Sequence, residues 1–126
     1  MHKNLTLIAF LGAVSILLGA FGAHALKESL TADALKSFET AVRYQMYHVI
    51  VLLIINLTSH FSETIKKRIT LIFILGILFF SGSIYAIYLL NIPVKYIWFI
   101  TPIGGLVLFL GWMQICYQFY KKTRKK

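Results

Sequence analysis

The chain has 126 residues, enough for one compact unit, and it is 59% hydrophobic and only 13% charged, against a soluble norm of about 45–50% apolar and about 25% charged. A soluble domain of this size has too little interior to hide that much apolar surface, so a bilayer is its expected solvent. The net charge of +9 lies between apolar runs and at the C-terminus, not in a stripe interleaved with aromatics, which argues against nucleic acid, and the single cysteine, Cys116, excludes an intramolecular disulfide, a cysteine-based zinc cage and a CxxC redox pair.

The first apolar run, Leu5 to Ala23, carries no charge and is close to the roughly 20 residues that span hydrocarbon. Lys3 before it and Ala23-His24-Ala25 after it resemble a cleavable signal peptide, but the run exceeds the usual apolar region of about 7–15 residues. The expectation is a retained first span over about 5–24. Ser15, Gly19 and Ala23, spaced by four, form a small-residue stripe suited to close helix packing within the chain.

Lys27 to Arg43 is a polar connection. Thr31 is placed to cap a helix, and Asp33 sits in its first turn, where negative charge suits the dipole. Leu35, Phe38 and Val42 then mark an apolar face, and Asp33, Lys36, Glu39 and Arg43 a polar one, so the connection reads as amphipathic helix. No Gly or Pro interrupts 31–59, and the connection is expected to run on into the second span, about 41–60. Asn56 within that span is expected to bond a neighbouring helix. Residues 61–68 read as a short basic loop.

The third span is expected over about 69–90, with Gly76, Gly82, Ser83 and Ala86 as a small-residue face and Tyr85 and Tyr88 near its end. Tyr96, Trp98 and Phe99 suit an interfacial turn. The fourth span is expected over about 98–120. Thr101-Pro102 reads as a cap followed by proline at the first helical position, or as a kink in a longer helix starting near Ile97. The tail, 121–126, is polybasic.

With four spans, one side holds nine Lys and Arg residues (Lys3, the 61–68 loop and the tail) and the other holds Lys27, Lys36, Arg43 and Lys95. The positive-inside rule then places both termini in the cytoplasm. The fold class expected is an all-α membrane protein, a four-helix transmembrane bundle with an amphipathic helical connection between its first two spans.

The segment 38–48, FETAVRYQMYH, carries the chemistry. On a helix, Glu39 and Arg43 share a face, as do Tyr44 and His48. Polar groups at the mouth of a span are costly unless they face protein or water. His24 closes the first span and His48 lies about one turn inside the second, so the two can face each other, with Arg43, Tyr44, Gln45 and Tyr47 nearby and Tyr85 on the third span. One reading is a polar site for a small ligand, a quinone-like or lipid head group, or a proton. The other is an interhelical network in which these groups satisfy one another. Two histidines without a third well-spaced ligand point to no metal and no haem, and no cofactor is expected. Arg43 also suits an interface anchor paired with Glu39.

Four local patterns occur together: GAFGAHAL at 19–26, FETAVRYQMYH at 38–48, FFSGSIY at 79–85 and ITPIGG at 100–105, followed by GW at 111–112. In this order and spacing the chain resembles domain-of-unknown-function family 423, small bacterial inner-membrane proteins with relatives in animals. The resemblance implies a multi-pass plasma-membrane protein with an uncleaved first span, and it brings no reaction. The chain departs from the pattern in its heavier basic tail and in Lys95-Tyr96. The function expected is non-enzymatic, acting through a partner protein or lipid; the partners expected are the bilayer, anionic lipid at the tail, and a second copy or another membrane protein. The alternatives are a small oligomeric transporter or channel, and a redox or ligand-binding protein using His24 and His48.

Overall fold

Apolar runs joined by short polar segments have one stable form in lipid. Every backbone N–H and C=O must be bonded within its own segment, so each run becomes a helix. The computed structural model describes residues 2–124; Lys125 and Lys126, the end of the basic tail, lie outside the described residues. Helix α1, His2–Phe21, ends in a π-helical turn, Gly22–Leu26; α2 is Ala32–Leu57, α3 Glu63–Leu89, α4 the single turn Val94–Ile97 and α5 Ile100–Thr123. Four of these segments, Lys3–Leu26, Ala32–Leu57, Glu63–Leu89 and Ile100–Thr123, are long and apolar enough to cross a membrane, and no strand occurs among the described residues. The protein is an all-α bundle of four such helices.

The ends of the helices follow from local chemistry. Thr31 Oγ1 accepts from the Ala34 N–H at 3.2 Å, with Asp33 in the first turn, and Ser62 Oγ accepts from the Ile65 N–H at 3.4 Å, with Glu63 in the first turn of α3. At the other end of α3, Asn91 takes a positive φ of 54°, and the Ile92 N–H reaches back to the Ala86 carbonyl at 3.2 Å. Asparagine is one of the few non-glycine residues that adopts this left-handed cap.

The amphipathic connection is not a separate element. It is the beginning of α2, which runs unbroken for 26 residues, about 39 Å against a hydrocarbon core of about 30 Å. Leu35, Phe38 and Val42 turn toward the bundle, while Asp33, Lys36, Glu39 and Arg43 stay exposed. Similarly, the expected basic loop at 61–68 is mostly the first turn of α3. Lys66 is buried there, its Nζ donating to the Asn56 carbonyl at 3.3 Å and lying 3.1 Å from Glu63.

Thr101 does not cap α5. Pro102 has no N–H to give to the Trp98 carbonyl four residues back, and its ring crowds that carbonyl. The helical path from Val94 therefore breaks at Trp98-Phe99 and resumes at Ile100. The longer, interrupted helix is the form observed. Thr101 instead meets Ser83 of α3, hydroxyl to hydroxyl, at 2.6 Å.

Packing is serial: α1 lies on α2, α2 on α3 and α3 on α5. Small residues set the closeness of each contact. On α1 the working stripe is Gly12, Ser15, Gly19 and Gly22, facing Val49, Val42 and Phe38 of α2; Ala23 is exposed. On α5, Gly104 lies directly against the α3 backbone, where a Cβ would come within 2.6 Å of the Phe79 carbonyl carbon. Gly111 faces the Phe73 ring, and Gly76 of α3 faces Leu108. Gly82 faces open space, so it is not part of the small-residue face. Between α2 and α5 runs a groove, whose walls are Tyr44, Tyr47, His48, Val51 and Ile54 on one side and Leu108, Phe109, Trp112 and Ile115 on the other.

Candidate functional site

Alternation along α2 splits the 38–48 segment into two sets. Phe38, Ala41, Gln45 and His48 point into the bundle, while Glu39, Arg43, Tyr44 and Tyr47 are exposed. The inward set is held from three sides. Gln45 Nε2 donates to the Leu11 carbonyl of α1 at 2.8 Å, and its Oε1 accepts from the Tyr85 hydroxyl of α3 at 2.7 Å. Ser15 Oγ of α1 donates to the Val42 carbonyl at 3.1 Å, and Ser81 Oγ of α3 donates to the Ala41 carbonyl at 2.7 Å. These two serines supply extra donors to carbonyls already inside a helix, so they join helices without opening the α2 ladder. Tyr85 also lies on Phe38, with ring centroids 5.4 Å apart.

His48 is the link to α5. Trp112 Nε1 lies 3.2 Å from His48 Nε2, and His48 Nδ1 lies 2.5 Å from the Tyr44 carbonyl oxygen. An indole nitrogen only donates, and a carbonyl only accepts. Nε2 is therefore the bare nitrogen and Nδ1 carries the proton, so both ring nitrogens of a neutral imidazole are engaged. The ring is stacked at an angle on Phe73, with centroids 5.2 Å apart. Trp112 sits in the middle of α5, which brings His48 level with the interior of the bundle rather than its mouth.

The remaining candidates fall elsewhere. His24 is exposed on the π-helical turn and is not brought to His48. Arg43 donates to Thr40 Oγ1 at 3.2 Å and makes no ion pair with Glu39. Tyr44 and Tyr47 are 42% and 53% exposed and form the lip of the α2/α5 groove. There a cavity of about 350 Å³ is lined by Tyr44, Tyr47, His48, Gly105, Leu108, Phe109 and Trp112. Among the described residues, no group of three or more His, Cys, Asp or Glu side chains is placed to hold a metal, and no buried side-chain nitrogen or oxygen lacks a partner.

Several working residues escape sequence reasoning. Trp112 was visible only as part of the GW pair, although its place beside Gly111 puts it at the edge of the α3 contact. Ser15 and Ser81 read as small packing residues, and the Leu11 carbonyl carries no sequence signal. Asn56 is bonded as expected, to Thr70 Oγ1 of α3 at 2.9 Å.

The Gln45–Tyr85 contact can be measured directly. Interhelical hydrogen bonds in membranes contribute about 0.6 kcal/mol on average and at most about 1.7. Gln45→Leu, which loses two of them, is expected to cost about 1 kcal/mol in mixed-micelle unfolding, with Tyr85→Phe costing nothing further in the Gln45→Leu background. Additive losses in the double variant would show that the two side chains are not coupled.

The family model described as "Protein of unknown function (DUF423)" matches residues 18–105. A membrane protein of Haemophilus influenzae named UPF0382 is 38% identical over 120 residues, 95% of each chain. YwdK, a UPF0382 membrane protein of Bacillus subtilis, is 33% identical over 83% of this chain and 89% of its own, and YgdD, a UPF0382 inner membrane protein of Escherichia coli, is 32% identical over 82% and 79%. No solved structure gives a significant match. A family model covering most of the chain, relatives aligned over 79–95% of their length and four membrane-length helices lead to one conclusion: the chain is a membrane protein of the DUF423 family.

Proposed function

We propose that the protein is non-enzymatic and acts by contact, through a partner protein, a second copy or lipid. The observation that carries this reading is the closed hydrogen bonding of the second helix. The inward polar groups of α2, Gln45 and His48, are engaged by Leu11, Tyr85, Tyr44 and Trp112. A catalytic site needs a nucleophile or base free to meet substrate, and an ion path needs polar groups facing water. Neither arrangement is served by side chains committed to one another. The exposed apolar face of every helix remains for lipid or partner contact.

Native mass spectrometry of the full chain from mild detergent tests the reading. The expected spectrum shows the chain with phospholipid, with further copies or with a second protein. Haem, metal or quinone that co-purifies and is lost in a His48→Ala variant would replace it with the redox or ligand-binding reading.

The orientation belongs to the same proposal, with both termini in the cytoplasm of a bacterial plasma membrane. The described residues place seven basic side chains and the single acid Glu63 at the end holding Lys3, Lys66 and Lys122; the opposite end has four basic side chains and three acids. Cysteines introduced at Ser29 and Ser62 in a Cys116→Ser background separate the two orientations. An impermeant thiol reagent applied to intact cells is expected to label position 29 and spare position 62; the reverse pattern means an inverted protein.

A further inference from the structure

We propose that the lower half of the α2/α5 groove is a binding site for one anionic glycerophospholipid, with an acyl chain along the groove and the phosphate at Lys122 and His60. This deepens the contact reading given above and rests on it. The groove below Trp112 holds a cavity of about 270 Å³, lined by Val51, Ile54, Ile55, Ile115 and other apolar side chains. At its lower end it shares His60 and Phe119 with a second cavity, of about 440 Å³, whose other walls are Lys122 and Thr123. An apolar slot that opens onto the Lys122 ammonium has the polarity of a phospholipid read from tail to head.

The dimensions agree. From Trp112 to Phe119 the helix rises about 10 Å, within the roughly 15 Å that one leaflet of hydrocarbon provides. Trp112 closes the upper end through its bond to His48, so the slot takes part of one chain and does not cross the membrane. At the lower end, Lys122 Nζ donates to the His60 carbonyl and lies 5.2 Å from the centre of the Phe61 ring. An ammonium has three donors, and this contact uses one. Glu63, the acid at this end, is occupied by Lys66 at 3.1 Å.

Charge decides between a lipid and a second copy of the chain. Two copies side by side in one membrane bring the same end together, and that end carries seven basic side chains against one acid. Like charges brought to one face repel, whereas an anionic head group removes the repulsion. The favoured occupant is the lipid.

The test is native mass spectrometry of the detergent-solubilised full chain titrated with dioleoyl phosphatidylglycerol and, separately, dioleoyl phosphatidylcholine. One phosphatidylglycerol per chain is expected to be retained at collision energies that strip phosphatidylcholine. Lys122→Ala is expected to weaken that retention about fivefold, the effect of one basic residue at a membrane surface, and Lys122→Arg to preserve it. Ile54→Trp fills the slot from a side chain that is 60% exposed, and it is expected to abolish the selective adduct without altering any charge. Equal retention of the two lipids overturns the proposal. So does full retention in Ile54→Trp, which means the basic tail alone attracts the lipid. Either failure leaves action through a protein partner standing, because that is read from co-purifying subunits.

Discussion

Gly104→Ala is expected to destabilise the protein by about 3 kcal/mol, the upper end of the usual cost of overpacking. The added methyl meets backbone, not a side chain that can turn away, since its neighbours are the Phe80 nitrogen and the Phe79 carbonyl carbon. Relief requires α5 to move off α3, and that movement stretches the 2.6 Å contact between Thr101 and Ser83 one turn away. Two packed helices with no hydrophobic drive between them in lipid depend on this closeness, because van der Waals contact is most of what holds them. Gly82→Ala is the control. Nothing lies within 4 Å of its added methyl, so it is expected to be neutral or to stabilise by up to about 1 kcal/mol through helix propensity. Unfolding in mixed micelles followed by far-UV circular dichroism compares the two. Equal stability of the two variants would show that the α3–α5 contact is looser than described.

Phe73→Ala is expected to cost about 3–5 kcal/mol, as other deletions of a fully buried aromatic do. Phe73 is 0% exposed and sits where three elements meet: its ring faces Gly111 of α5, lies 5.2 Å from the His48 ring of α2 and 5.9 Å from Trp112. Removing it leaves a void beneath the His48–Trp112 bond, which then loses the surface that orients both rings. The expected signature is therefore double, a loss of stability together with a changed fluorescence of Trp112, measured in a Trp98→Phe background. Phe73→Leu keeps most of the volume and is expected to cost less than about 1.5 kcal/mol. A Trp112 spectrum untouched by Phe73→Ala would separate the aromatic cluster from the His48 contact and leave the α2–α5 link without support.

The candidate site divides in a way that explains what reading residues in line can achieve. Gln45 and His48 were recognisable because polar groups deep in an apolar helix must find partners. Their partners were harder to name. Tyr85 lies 40 positions away from Gln45, and its orientation inward rather than toward the head groups depends on how α3 is rotated against α2. His24 looked equivalent to His48 by spacing, yet the π-helical turn that ends α1 leaves it outside. A one-residue widening of the turn changes which side chains face inward, and no residue type announces it. Thr101 shows the same limit. Its neighbour Pro102 made a cap plausible, and only the approach of Ser83 decides that its hydroxyl serves the α3–α5 contact.

Local hydropathy and one capping residue determined the solvent, the number of spans and the helix start at Thr31, whereas the cap at Ser62 lies in a stretch that read as loop and emerged only with the structure. Tertiary structure decided the serial order of the helices, the choice of Gly12, Gly19 and Gly104 over Ala23 and Gly82 as contact points, and the joining of His48 to Trp112. The reason is physical. Hydropathy says which residues leave water, but inside lipid every face of a helix is equally apolar, and only the fit between particular surfaces selects the faces that meet.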